Sequence, residues 1–229
     1  MVPLTGCMLD KKGELTLKDP VVTTPAIKNE GLLRVGVDTS ATNVPFAGYS
    51  GSYFGIDVDL ANALGEQLGL KVEFASIDGK DPVEMLSTQE VDLIMGLNTD
   101  SAGASSLTNI GPYMQNGTAI FCVDTGDLPD PFDPNSLDGQ KIAAQNESLS
   151  AWDVNNRFGQ SHVQTFSTVE EAFDAVNSGS VTYVAADAAV GAYLSAKYPG
   201  IVCRGFLDEP DSRFIGVANK NDQLSDAVV

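Results

Sequence analysis

Apolar residues along this chain fall into short runs with two alternating spacings. "LLRVGVD" (residues 32–38) alternates and then becomes continuous, the pattern of a strand half and then fully buried. In "IDVDLANALGEQLGL", Leu60, Leu64 and Leu68 share one helical face, with Asp57 placed to cap the start and Gly69 to stop the helix. "KVEFA" alternates as a strand. "DPVEMLSTQ" reads as a short helix with Asp81 as cap and Pro82 in its first turn, and "VDLIMGL" as the next strand. The order βαβαβ favours a parallel sheet flanked by helices.

"NIGPYMQNG" reads as a connection, after which the alternation starts again. "TAIFCV" is a strand, followed by the Pro/Asp-rich loop "DTGDLPDPFDPNSLDG". Then come "KIAAQ" (strand), "SLSAWDVNNRF" (helix), "HVQTF" (strand), "STVEEAFDAVNSG" (helix), "VTYVAAD" (strand) and "AAVGAYLSAKYPG" (helix). The helix after Phe166 carries a capping box, Ser167-x-x-Glu170. "IVCRGF" and "FIGVA" are further strands able to return the chain to the first series. The expectation is an α/β protein of two Rossmann-like lobes joined by two hinge strands. Residues 30–113 with 209–229 form the first lobe and 119–207 the second, with hinges near 114–118 and 208–213 and a cleft between the lobes.

Ligands of open α/β sheets sit at the carboxyl ends of strands. Those ends offer Asp38, Asn43 in the loop after it, Asp78, Gly96, Asn98, Asp100, Gln145, Ser148 and Asp187. Lys80 excepted, the rim is neutral or acidic, and "GLNTDSAGASS" (96–106) contains hydroxyls but no cation. That is a hydrogen-bonding pocket rather than a phosphate cradle. The formal charge of -18, with no cluster of basic residues, argues against nucleic acid and otherwise serves solubility. No run approaches the roughly 18 apolar residues of a membrane span. His162 is the one histidine, expected at the solvent or as a cap, and Trp152 and Phe158 are expected to pack on or cover their helix. No metal, cofactor or catalytic motif is evident, so no cofactor is expected and the protein is not expected to be an enzyme.

"LTGC" (residues 4–7) has the pattern of a bacterial lipobox, which makes Cys7 the candidate lipidated residue. The polar segment that follows, up to residue 29, reads as a flexible tether. Cys122 and Cys203, both in β-type runs, are open to two readings: a disulfide outside the cytoplasm, or two small buried side chains.

"GLLRVGVD", "VPF", "GSYFGIDVDLANALGEQLGLKVEF", "LSTQEVDLIMG", "GPY", "LDGQKIAAQ" and "VTYVAAD", in this order, resemble the solute-binding proteins of bacterial ABC importers. The resemblance is to the polar-amino-acid class, with the type II periplasmic-binding-protein fold, over roughly residues 30–218. It implies a monomeric extracytoplasmic lipoprotein that binds a small polar amino acid or amine by hinge closure and delivers it to ABC permease subunits. Membrane contact would be through the lipid anchor only. It also implies that Asp187 holds the ligand's amine, that Asp38 lies near its side chain or amine, and that Gly96, Asn98 and Ser148 meet it. The family order sets "AIFCV" beside "IVCRGF", which would allow a Cys122–Cys203 bond. Family members carry a carboxylate-clamping arginine where this chain has Gly103, and the "TSATNVPF" loop has two extra residues. A carboxylate would then rely on helix-end amides or Lys80; otherwise Asp38, Asp100 and Asp187 form an acidic pocket for an amine without one. The same fold also hosts ligand-sensing domains and a few dehydratase-like enzymes, which are the alternative readings.

Overall fold

The apolar runs become two separate five-stranded sheets in a computed structural model that describes residues 18–40, 45–98 and 104–229. The chain divides into two units, Met1–Met114 with Ser212–Val229, and Gln115–Asp211. The first contains β1 (Leu32–Val37), a small hairpin of β2 (Gly48–Tyr49) and β3 (Tyr53–Phe54), α1 (Ile56–Leu68), β4 (Lys71–Ser76), α2 (Pro82–Ser87) and β5 (Leu93–Leu97), and β6 (Leu107–Asn116) leads out of it. The second unit contains β7 (Thr118–Val123), β8 (Ile142–Gln145), α3 (Leu149–Phe158), β9 (Val163–Phe166), α4 (Val169–Asn177), β10 (Tyr183–Asp187), α5 (Ala188–Ser195) and β11 (Ile201–Phe206). β12 (Asp211–Ala218) and α6 (Asp222–Val228) return the chain to the first unit.

In the first unit the strand order is β4-β1-β5-β12-β6. β1 runs parallel to β4 and β5, as helical crossovers require, and β12 is antiparallel to β5. β5 feeds both faces of the sheet. Leu93 and Met95 join Leu33, Val35 and Val58 on one side, and Ile94 joins Met85 and Leu86 on the other. In the second unit the order is β11-β7-β10-β8-β9, with β8 parallel to β9 and β10, and β7 antiparallel to β10 and β11. Phe121, Phe173, Val184 and Leu194 centre its core.

Several local expectations hold. Gly69 ends α1 in the left-handed region at φ 70, and Asp81 caps α2 by accepting from the Val83 amide at 2.8 Å. Others are corrected. "NIGPYMQNG" is not a bare connection but most of β6, because Pro112 is tolerated in an edge strand, where a missing amide need cost no ladder bond. The tether reading fails from Lys18 onward. Val22 and Ile27 are fully buried in the first core, and Asp92, itself 5% exposed, accepts from the Lys28 and Arg34 amides at 2.9 and 2.8 Å. The capping box shifts by one residue. Thr168 accepts from the Glu171 amide and Glu171 from the Ser167 amide, since the tandem Ser-Thr and Glu-Glu pairs permit either register. Asp57 caps nothing: the residue at the cap position is Gly55, and Asp57 points inward, fully buried.

The Cys122–Cys203 bond is also corrected. β7 and β11 do pair, but Cys122 stands opposite Val202 and Cys203 opposite Phe121. A one-residue offset puts the two thiols on opposite faces, and both are free, Cys122 buried and Cys203 exposed.

The Asp92 carboxylate ties residues 18–31 to the sheet through two backbone amides. Asp92→Ala is therefore expected to destabilise the first unit by about 3 kcal/mol, since each charge-assisted bond contributes about 1.5–3 kcal/mol. Urea denaturation checks this; a loss below 1 kcal/mol would show that the amides find other partners.

Candidate ligand-binding site

In the second unit, β8 and β10 are neighbouring parallel strands whose carboxyl ends deliver Gln145 and Asp187 to one place. A cavity of about 200 Å³ opens there, lined among others by Asn116, Thr118, Gln145, Ser148, Asp187 and Asp211. Three of the residues expected from the sequence, Gln145, Ser148 and Asp187, are thus brought together.

Asp187 does two things at once. Its Oδ1 accepts from the Ala189 and Val190 amides at 3.0 and 3.1 Å and so caps α5, while its Oδ2 accepts from Asn116 Nδ2 at 2.6 Å. Capping fixes the carboxylate's direction, and Asn116 holds the oxygen that the cap does not use. Ser148 caps α3: its hydroxyl accepts from the Ala151 amide at 3.1 Å and donates to the Gln145 carbonyl at 2.7 Å. Ser148, Leu149 and Ser150 all line the cavity, so the amide-rich first turn of α3 forms part of its wall. Thr118 Oγ1 donates to Asp153 at 2.5 Å and lies 3.2 Å from Ser150 Oγ, which gives the buried hydroxyls partners. Among the described lining residues two are carboxylates and none is basic. Such a wall receives an ammonium or other N–H donors, and the helix start can receive a carboxylate oxygen. Leu149 and Trp152 are 68% and 61% exposed, so of the two expectations for Trp152, core packing and cover of the helix surface, core packing fails. His162 accepts from the Gly139 amide at 3.2 Å and takes no part in the cavity.

In the first unit, the carboxyl ends of the paired strands β1 and β4 bring Asp38 and Asp78 into one hydrogen-bonded loop cluster. Asp38 accepts from the Ser40 amide at 2.9 Å. Asp78 accepts from the Thr39 amide at 2.7 Å and the Thr39 hydroxyl at 2.8 Å, and the Asp78 amide donates to Ser76 Oγ. Slight burial pushes the Asp78 carboxyl upward, but the hydrogen bonds, led by those from Thr39, outweigh it and hold Asp78 below the usual carboxylate range. The Lys80 ammonium pairs with Glu90 at 2.7 Å.

Gly96, at φ +78 near the end of β5, has a neighbour the sequence reading missed. A Cβ there would lie 2.3 Å from Arg213 Nη2 and 2.8 Å from Asp57 Oδ2, so only glycine leaves them room. Arg213, from β12, donates to Asp57 Oδ2 at 2.8 Å, and the Tyr113 hydroxyl donates to Asp57 Oδ1 at 2.7 Å. The guanidinium carbon stands 3.9 Å from the centre of the Phe46 ring. Burial, with the adjacent Asp57 carboxylate, pushes the Tyr113 hydroxyl far above its ordinary pKa, so it stays a donor. The available signals were an aspartate directly after the first residue of a helix and a lone arginine in the apolar run "DSRFIGVA". Asn98 is exposed just past β5. Cys7, Asn43, Asp100 and Gly103 lie outside the described residues.

Comparison with known proteins agrees with this architecture. The model of "Bacterial extracellular solute-binding proteins, family 3" matches residues 33–228, and the chain belongs to that family. It is 24% identical over 218 residues to the ABC transporter glutamine-binding protein GlnH of Bacillus subtilis, which covers 92% of this chain and 78% of that protein. It is also 30% identical over 145 residues to the virulence sensor protein BvgS of Bordetella pertussis, covering 63% of this chain but 11% of BvgS, so it spans a small part of that relative's length. A crystal structure of a polar amino acid ABC uptake transporter substrate binding protein from Streptococcus thermophilus shares the fold, with a TM-score of 0.70. Identity is 23%, covering 86% of this chain and 78% of that one. The fold class is therefore the type II periplasmic-binding-protein fold.

Removing the Thr39 hydroxyl isolates its effect on Asp78. In Thr39→Val, the Asp78 carboxyl is expected to titrate closer to its ordinary value, read by carboxyl carbon NMR. Because the folded value is depressed, the associated stability is present above the unfolded pKa and lost as pH falls through the folded one. The variant's acid unfolding should therefore lose part of that dependence. An unmoved Asp78 titration would assign the depression to the Thr39 amide, Asp38 and Ser76 instead.

Proposed function

We propose that the protein is an extracytoplasmic receptor for a small polar amino acid or related amine, acting with an ABC importer. The observation that carries this reading is the cavity in the second unit. A preorganised carboxylate, Asp187, faces a wall of hydroxyls and amides beside the start of α3. That arrangement holds an ammonium and its hydrogen-bonding neighbours without any covalent step. Asp187 and Asp211 supply the negative charge, Ser148 and Gln145 the orientation. Family membership and the similarity to a glutamine-binding protein support the amino-acid class. Hinge closure on the guest is the proposed mechanism, with permease subunits as partners reading the closed form and Cys7 as the lipid anchor.

The similarity to part of a sensor protein favours a second reading, in which the same site binds the same class of guest to control a signalling partner. Genomic neighbours separate the two: a permease and an ATPase gene support transport, a kinase region fused in frame supports sensing.

The test of the binding reading uses Asp187→Asn, which keeps a good helix cap but removes the charge. A thermal-shift screen of amino acids and small amines should find a ligand that stabilises the wild type by about 2.7 kcal/mol at a hundredfold excess over Kd. Asp187→Asn should retain the unliganded melting temperature and bind about ten- to hundredfold more weakly, as loss of a charge-assisted bond implies. Unchanged affinity would remove Asp187 from the site.

A further inference from the structure

We propose that the second unit carries a separate site for an uncharged sugar ring, built on Trp152 beside the edge strand β9.

An open cavity of about 270 Å³ lies between α3 and β9, lined among others by Trp152, Asn146, Glu147, Asn155, Gln160 and Thr165. It shares only Ser148 with the cavity around Asp187. The Ser148 hydroxyl is already committed, to the Ala151 amide and the Gln145 carbonyl, so the two cavities offer different groups to a guest. The volume falls below the roughly 300–1,000 Å³ of pockets for drug-sized ligands, which suits one ring rather than a chain.

Trp152 is the one tryptophan of the chain, and it stands at the surface. Among the described residues no ring or cation stacks on it. Tryptophan gains much from burial, so its exposure beside a cavity is informative. Cover of its own helix would explain Trp152 alone, but not its neighbours. The same cavity presents three side-chain amides, Asn146, Asn155 and Gln160, and the Thr165 hydroxyl, none hydrogen-bonded through its side chain to another described residue. Several asparagines elsewhere are used by the fold: Asn116 holds Asp187, Asn219 the Ser106 carbonyl and Asn221 the Ala26 carbonyl. Glu147 adds a carboxylate from a backbone at φ 59, a left-handed conformation that glycine takes more readily. A side chain carried there against backbone strain points to use.

The chemistry of these groups selects the guest. An amide both donates and accepts, as a sugar hydroxyl does, so the two satisfy each other in either direction. A carboxylate accepts from two neighbouring hydroxyls at once. The C–H face of a pyranose is apolar and can lie on an indole while its hydroxyls reach the polar rim. A cation would use the ring and Glu147 but would leave the amide N–H groups without an acceptor. An anion finds no basic residue among the described lining. A peptide strand would need a longer edge than the four residues of β9 offer.

Because Trp152 is the only tryptophan, its emission reports on this site alone. Methyl glycosides of glucose, galactose, mannose and N-acetylglucosamine are titrated into the full chain, with sorbitol and tetramethylammonium as controls. At least one glycoside is expected to shift the emission to the blue along a saturable curve, and the controls to leave it unchanged. In saturation-transfer NMR, Trp152→Ala should lose the signal of that glycoside; the residue is mostly exposed, so its removal spares the core. Asn155→Leu should weaken the glycoside about two- to tenfold by calorimetry, as loss of one hydrogen bond implies. Asp187→Asn should bind it as the wild type does. If no glycoside moves the emission, or the controls move it equally, there is no sugar site at Trp152. If Trp152→Ala keeps the signal, or Asp187→Asn loses it, the sugar sits elsewhere and the proposal is overturned. The receptor reading is untouched by each of these results and is decided by the amino-acid screen.

Discussion

Asp57 is a carboxylate sealed inside the first unit, and a charge in that position is tolerated only when its partners are supplied and held. Those partners come from distant parts of the chain. Tyr113 lies on β6, the strand that leaves the unit, and Arg213 on β12, the strand that returns to it almost a hundred residues later. The sheet order makes the same demand, since β12 lies between β5 and β6. The first unit is therefore completed only after the second has been traversed. Its N-terminal part alone would leave Asp57 without its cation and β5 without its neighbour.

Other carboxylates follow a related rule. Asp92 receives the amides of Lys28 and Arg34, Asp187 those of Ala189 and Val190, Asp78 that of Thr39, and Asp81 that of Val83. The excess of acidic residues, which the sequence offers chiefly as a solubility device, is partly structural. Each of these groups closes a helix start, a loop or a strand end by taking up backbone N–H groups that would otherwise go unpaired. Aspartate suits the task because its carboxylate is short, doubly accepting and close to its own backbone.

The α/β repeat was legible because periodicity and punctuation agree in most elements. Leu60, Leu64 and Leu68 mark α1, Gly69 ends it, and Asp81 with Pro82 begins α2. What was not legible depends on tertiary partners. Asp57 has the look of a cap because sequence shows its place beside a helix start, not the arginine 156 positions away. Pro112 disguises β6, since a proline argues against a strand until its edge position is known. Val22 and Ile27 sit among Lys, Pro and Thr residues, and only the Asp92 contacts reveal why that segment is packed. The strand-end rule gathered Gln145, Ser148 and Asp187, which line one cavity, because adjacency of β8 and β10 follows from the fold class. Asn116, the partner of Asp187, and Arg213, the partner of Asp57, were missed because both lie on the crossover strands, where no strand-end rule looks.

The way these polar groups are bonded also bears on what the site does. A general acid or base works best with a pKa near the operating pH and with its proton free to move. Asp78 is displaced the other way, its ionised form favoured by the Thr39 amide and hydroxyl. Asp187 has one oxygen committed to two amides and the other to Asn116, and Asn116 Oδ1 lies 3.3 Å from the Ala189 amide, within the same cap. A carboxylate held by three N–H donors is fixed in direction, a quality that recognition of a cation needs. Asp57 is likewise bonded on both oxygens, accepting from the Tyr113 hydroxyl and from Arg213.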